Sequence, residues 1–239
     1  MGGREQFLWI FDPELQQWFQ RGGNLGYKDH CSCTRLNEEL YQMGGEVFNQ
    51  GTTSSASKYN YKTNQWKKLS PMKTPKGQHC AVALEEFIYT SAGSDGKTCL
   101  KSVECYNPVI DQWESAPDMW NARRLAAAAA ITGRKILVVG GFSDMNSDTI
   151  ETSSEIFDKS LNQWSLVSSL CIPRAACGIV SVGNCVYLFG GEDGNDKQYK
   201  LNSVESYDVQ EDEWHHVSTM PYEVSSLQAS LPVEYIKNE

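Results

Sequence analysis

Short apolar runs, four or five residues long, recur along this chain and are separated by stretches rich in Gly, Asn, Asp and Ser. Ile136-Leu137-Val138-Val139 and Val186-Tyr187-Leu188-Phe189 are two of them. Their length and β-branched content predict buried strands rather than helices. Before each comes a run of small residues: Cys31-Ser32-Cys33-Thr34, Cys80-Ala81-Val82-Ala83, Ala126 to Ala130, and Ala175-Ala176-Cys177-Gly178. Intrinsic propensity alone would make the alanine run a helix. Its place beside the other three predicts a strand instead. Two glycines or a close variant follow the apolar runs at Gly44-Gly45, Ala92-Gly93, Gly140-Gly141 and Gly190-Gly191, and Gly2-Gly3 opens the chain; the second residue of each pair falls 15 to 23 residues before a repeat tryptophan. Glycine permits backbone conformations closed to other residues where a strand ends.

A third strand, such as Ser203 to Tyr207, carries an aromatic residue and leads into an Asn/Asp/Pro turn such as Asn107 to Asp111. A fourth strand carries a tryptophan. Trp18, Trp66, Trp113, Trp164 and Trp214 are spaced by 48, 47, 51 and 50 residues. Seven residues before them stand Phe11, Tyr59, Tyr106, Phe157 and Tyr207. Six residues after the last four come Met72, Met119, Leu170 and Met220. Ten residues after the first four come the basic residues Lys28, Lys76, Arg123 and Arg174. A period of this length signals a repeat architecture in which each unit buries its faces against its neighbours.

With its diglycine, tyrosine and tryptophan marks in register, the chain resembles the kelch family over nearly all its length. It departs from the pattern at Ala92, Phe11 and Phe157, and at Val224, where a fifth basic residue is expected. The resemblance implies an all-β propeller whose small first strands line a central channel. Units of about 1–24, 25–72, 73–119, 120–170 and 171–220 predict five four-stranded blades. Strands in 221–239 would complete the N-terminal blade and remove the open edges. The alternative is part of a six-bladed ring.

Charge and composition narrow the function. The 239 residues carry a net charge of −9, which argues against nucleic acid and anionic membrane surfaces as partners. No apolar run is long enough to span a membrane. There is no signal-peptide pattern, and Gln6 stands where a myristoylation motif after Gly2 needs Ser or Thr. The eight cysteines lack a framework spacing and several sit in apolar runs, which fits a reducing, cytoplasmic setting. No cofactor is expected, and no oligomerisation from this domain alone.

Candidate chemistry falls in the loops at one end of the predicted blades. The residues selected as partner-binding are Lys76, Arg123, Arg124 and Arg174 near the channel mouth, acidic Asp144 and Asp193, and aromatic Phe48, Phe142 and Tyr199. Arg suits bidentate capture of carboxylates. Each repeat-position basic residue also has a structural reading, a pair with Glu104, Glu155 or Glu205; Arg124 lies off the repeat position. His30 and His79 lead into consecutive first strands, but spacing offers no third metal ligand. Glu192 to Asp196 is oxygen-rich without the register of a calcium loop. No catalytic motif is present.

The basic residues before the first strand and the Glu-x-Tyr of the third strand resemble the kelch domains of BTB-kelch proteins. That resemblance implies a protein-binding module that captures substrates for a cullin ubiquitin ligase. The BTB and BACK domains are not expected within these residues. Alternative readings are a kelch protein that binds a cytoskeletal partner, actin, or an enzyme resembling sugar-acid epimerases.

Overall fold

The computed structural model describes residues 8–12, 15–21, 28–146, 149–194 and 200–225. Tyr199, Gly2-Gly3 and residues 226–239, which carry the predicted closing strands, lie outside them. Strands β1 (Leu8–Asp12) and β2 (Gln17–Arg21) form a hairpin. The first four-stranded sheet begins with β3 (Ser32–Leu36) and β4 (Glu39–Met43). A short ribbon, β5 (Glu46–Val47) and β6 (Gly51–Thr52), interrupts it before β7 (Ala56–Asn60) and β8 (Gln65–Leu69). The second sheet is β9 (Cys80–Leu84), β10 (Phe87–Ser91), β11 (Val103–Asn107) and β12 (Gln112–Ala116). The third is β13 (Ala127–Ile131), β14 (Lys135–Val139), β15 (Ser154–Asp158) and β16 (Gln163–Val167). The fourth is β17 (Gly178–Val182), β18 (Cys185–Phe189), β19 (Ser203–Asp208) and β20 (Glu213–Thr219). All pairings are antiparallel, and within each sheet strands pair in chain order, with β4 pairing β7 across the β5–β6 ribbon. Among the described residues no helix is long and apolar enough to cross a membrane.

The small-residue strands are innermost. β3 lies beside β9, β9 beside β13, and β13 beside β17, so the four sheets follow one another as propeller blades. The alanine run is a strand: Ala127 to Ile131 pair with Val139 to Lys135. Tertiary context overrides propensity here, because β9 and β17 approach β13 from both sides and leave room only for short side chains.

The core lies between blades. Leu36, Tyr41, Met43 and Met72 of the first blade pack on Ile88, Tyr106 and Trp113 of the second. Each later seam repeats the arrangement. The repeat tryptophan is the wedge. Trp113, Trp164 and Trp214 donate their indole N–H to Ser70, Pro117 and Ser168 carbonyls of the preceding blade at 2.8–3.0 Å. Each also stacks tilted on the aromatic of its own third strand, as Tyr106 does on Trp113 at 4.9 Å. The Tyr106 and Tyr207 hydroxyls lock the following turns by donating to Asp111 and Asp212.

The glycine pair marks where the next unit crosses. Gly140 has φ +62°, and a Cβ on it would stand 2.1 Å from the Arg174 carbonyl oxygen. The second glycine then donates to that same oxygen: Gly141 to Arg174 at 3.0 Å, as Gly45 does to Lys76 and Gly93 to Arg123. Val224 keeps the backbone role without the basic side chain, accepting from Gly191 at 2.8 Å.

The repeat-position basic residues point inward. Lys76, Arg123 and Arg174 are fully buried, so their selection as partner-contacting residues is corrected: no partner reaches these side chains. Arg123 donates to Gly140 O, Ser153 O, Ser153 Oγ and Glu155 Oε1 at 2.7–2.9 Å. Arg174 repeats this set with Gly190, Ser203 and Glu205. Each glutamate also accepts two backbone N–H groups from the loop before the basic residue. Glu155 accepts from Trp120 and Asn121, and Glu104 from Lys73 and Thr74. A buried charge is tolerable when it is paired and hydrogen-bonded in this way. Each knot ties a loop to the blade that follows it.

Candidate functional site

The residues two places after each repeat-position basic residue build the channel mouth. His30, Gln78, Leu125 and Ala176 occupy equivalent places and all adopt left-handed φ of 51–55°. Their backbones link successive blades: Gln78 N donates to His30 O, Leu125 N to Gln78 O, and Ala176 N to Leu125 O, at 2.8–3.0 Å. Non-glycine residues in this conformation cost about 1–3 kcal/mol each. The strain is held by the inter-blade hydrogen bonds and fixes where the neighbouring side chains stand.

One position earlier, Asp29, Gly77, Arg124 and Ala175 pair with Glu46, Ser94, Phe142 and Glu192, which follow the glycine pairs. Repeat geometry is therefore constant at the mouth while its chemistry differs from blade to blade.

A polar chain crosses three blades there. His30 Nδ1 lies 3.4 Å from Glu46 Oε1, which accepts from Gln78 Nε2 at 3.1 Å. Gln78 Oε1 accepts from Arg124 Nη1 at 3.1 Å, and Arg124 Nε donates to the Asp144 carbonyl at 3.3 Å. The Arg124 guanidinium sits 4.5 Å from the Phe142 ring centroid, a cation–π stack that holds it flat. Two of its nitrogens are thus engaged by other described residues, and Arg has five N–H donors. A partially buried, oriented guanidinium suits a partner's carboxylate better than a mobile lysine does. At the fourth blade the mouth is small and acidic, with Ala175 and Ala176 beside Glu192 and Asp193.

Of the residues selected from sequence, Arg124, Phe142 and Asp144 come together in the third blade. Phe142 is 7% exposed, so it supports Arg124 rather than serving as an exposed anchor. Phe48, at the tip of the β5–β6 ribbon, is 82% exposed. Asp193 is half-buried in the fourth blade, and Tyr199 lies outside the described residues. His30 and His79 diverge. His30 joins the mouth chain, while His79 is buried with Nε2 2.6 Å from Ser32 Oγ. Burial, helped by the Lys76 charge, pushes its imidazole down to about 3.

Gln78 was missed by sequence reading. Its signal was available: it occupies the same unit position as His30, two residues after the repeat-position Lys76.

The fold and this mouth define a class: an all-β propeller of repeated four-stranded blades whose constant frame presents variable residues at one end of the channel. The match to a family model, the KLHDC2/KLHL20/DRC7 Kelch-repeats domain, covers residues 30–231. The chain belongs to the kelch-repeat family. It is 23% identical over 232 residues to Kelch-like protein 25 of Xenopus tropicalis, covering 92% of this chain and 38% of that protein. It is 28% identical over 196 residues to Kelch-like protein 26 of Danio rerio, covering 80% and 32%. Against alpha-scruin of Limulus polyphemus the identity is 24% over 229 residues, covering 92% and 25%. The chain thus spans about a third of the length of the Kelch-like relatives it matches. The solved structure of YjhT superimposes with a TM-score of 0.70 at 16% identity, over 83% of this chain and 68% of that one, a likeness of fold.

Proposed function

We propose that this chain is a protein-recognition module that holds its partner at the channel mouth, and that it serves as the substrate-recognition part of a BTB-kelch ubiquitin-ligase adaptor. The observation that carries the reading is Arg124, a guanidinium fixed between Gln78, Asp144 and the Phe142 ring on a surface otherwise bounded by Glu46, Glu192 and Asp193. Such a site takes an acidic group of the partner at its centre, with exposed Phe48 available to an apolar residue beside it. The similarity to Kelch-like proteins over most of the chain supports the adaptor role.

The test is affinity capture from lysate by the wild-type chain and Arg124→Glu, scored by mass spectrometry. The reading expects a specific protein retained by the wild type and lost by the variant, with cullin-ligase substrates among the retained set. Actin filaments that co-sediment equally with both chains would point to the cytoskeletal alternative and against this mouth.

A further inference from the structure

Charge is unevenly placed along the chain. Residues 47–84 contain six lysines, no arginine and no Asp or Glu. They carry +6 in a chain whose net charge is −9, which leaves −15 on the rest. The β7–β8 hairpin and the loop after it hold all six: Lys58, Lys62, Lys67, Lys68, Lys73 and Lys76. The same part of the second blade carries Asp111 and Glu114, and that of the fourth carries Glu211, Asp212 and Glu213.

Three of the six lysines are matched by glutamates: buried Lys76 by Glu104, Lys58 by Glu39 and Lys62 by Glu38. The other three, Lys67, Lys68 and Lys73, are exposed on β8, the outer strand of the first blade, and just beyond it. Lys67 and Lys73 form no salt bridge among the described residues, which run unbroken through the first and second blades. Lys73 Nζ instead reaches Ser115 Oγ on β12 at 3.3 Å. Lys67 stands directly across the hairpin from Lys58, and like charges so placed destabilise a sheet. Successive strand residues point to opposite faces, so Lys67 and Lys68 flank the edge of β8 from both sides. Lys62 extends the line before the strand and Lys73 after it.

We propose that this outer edge of the first blade is a docking surface for an acidic segment of a protein partner, lying extended along β8 with its carboxylates against Lys67, Lys68 and Lys73. Such a segment supplies negative charge where the chain has none of its own, and it offsets the repulsion between Lys58 and Lys67. Strand β8 is five residues long, about 17 Å at ~3.3 Å per residue, which is the reach of an extended segment of similar length. A long polyanion such as RNA would run on toward Asp111 and Glu114 of the next blade and be repelled by the acidic remainder of the chain. The surface lies on the rim and does not involve Arg124 or the channel mouth.

The test is fluorescence anisotropy of a labelled hexaglutamate peptide at about 0.01 M and about 0.15 M salt, where the Debye length is about 30 Å and about 8 Å. The wild type should bind the peptide, and more weakly at the higher salt. Each exposed charge pair is worth roughly a two- to threefold change, so Lys67→Gln, Lys68→Gln and Lys73→Gln combined should weaken binding about tenfold or more. The three side chains are exposed, so this triple variant should melt at or above the wild-type Tm. Arg124→Glu should bind the peptide as the wild type does, which separates this surface from the mouth. Equal binding by the wild type and the triple variant, or loss of binding in Arg124→Glu alone, overturns the proposal. An oligonucleotide of equal charge that binds as tightly as the peptide also overturns it, as does self-association of the chain that the triple variant abolishes, which would give the patch to a second copy.

Discussion

Replacing His79 with glutamine isolates one buried titration. The imidazole is 7% exposed, its Nε2 hydrogen-bonds Ser32 Oγ, and its Nδ1 has no partner among the described residues. A Cβ added at Gly44 or Gly93 would lie 2.6 Å from its ring or its Cβ, which shows how closely the two blades enclose it. Burial, with a smaller push from the Lys76 charge, lowers its pKa from 6.5 to about 3. In the folded state the ring stays neutral until near pH 3, whereas the unfolded chain takes up a proton below about pH 6.5. Stability from this group is therefore full above pH 6.5 and falls as pH drops toward 3. At pH 5 the proton uptake by the unfolded chain is worth about 2 kcal/mol relative to pH 8. Urea unfolding of the wild type and His79→Gln at both pH values measures this as a difference of differences, so the variant's own packing cost cancels. The variant should lose about 2 kcal/mol less than the wild type between pH 8 and pH 5. An equal pH dependence in the two proteins would refute the reasoning.

The seam knots give further expectations. Arg123→Met should cost about 3–5 kcal/mol in urea unfolding, because Glu155 is left buried without its charge partner. Adding Glu155→Leu should not restore wild-type stability, since the Trp120 and Asn121 N–H groups then lose their acceptor. Lys76 reaches Glu104 and Ser102 only at 3.4–3.5 Å, so Lys76→Arg should add about 1 kcal/mol by supplying the fork that Arg123 and Arg174 use. Ala92 holds φ +63° where other units have glycine, and Ala92→Gly should stabilise by up to about 1 kcal/mol, read as a higher Tm.

The blade frame was legible because it is written in spacing. A tryptophan every 47–51 residues and a glycine pair, or Ala92-Gly93 in its place, before each aromatic strand are demanded by inter-blade packing, which acts at the same place in every unit. The alanine strand could be read only by comparing units, since its local propensity points to helix. Which way a repeat-position side chain turns was not legible. Arg123 and Arg124 are adjacent and chemically identical, yet the first passes through the gap beside Gly140 to Glu155 and the second turns out over Phe142. The choice is made by the cross-unit bond from Gly93 to the Arg123 carbonyl and by the left-handed turn at Leu125, neither of which has a residue-type signature. Phe142 was misjudged for a related reason. Its backbone bridge to Arg124 folds the ring under the guanidinium, so an aromatic in a loop became part of the scaffold.

Two neighbouring arginines have separate roles, Arg123 in the seam and Arg124 at the mouth, and charge reversal at each in turn distinguishes them. Thermal unfolding and partner capture are measured side by side for Arg123→Glu and Arg124→Glu. Arg123→Glu should lower Tm by a large margin, and Arg124→Glu should keep a Tm close to wild type while losing capture. An Arg124→Glu chain that melts as early as Arg123→Glu, or that retains its partner at full strength, would contradict this division of roles.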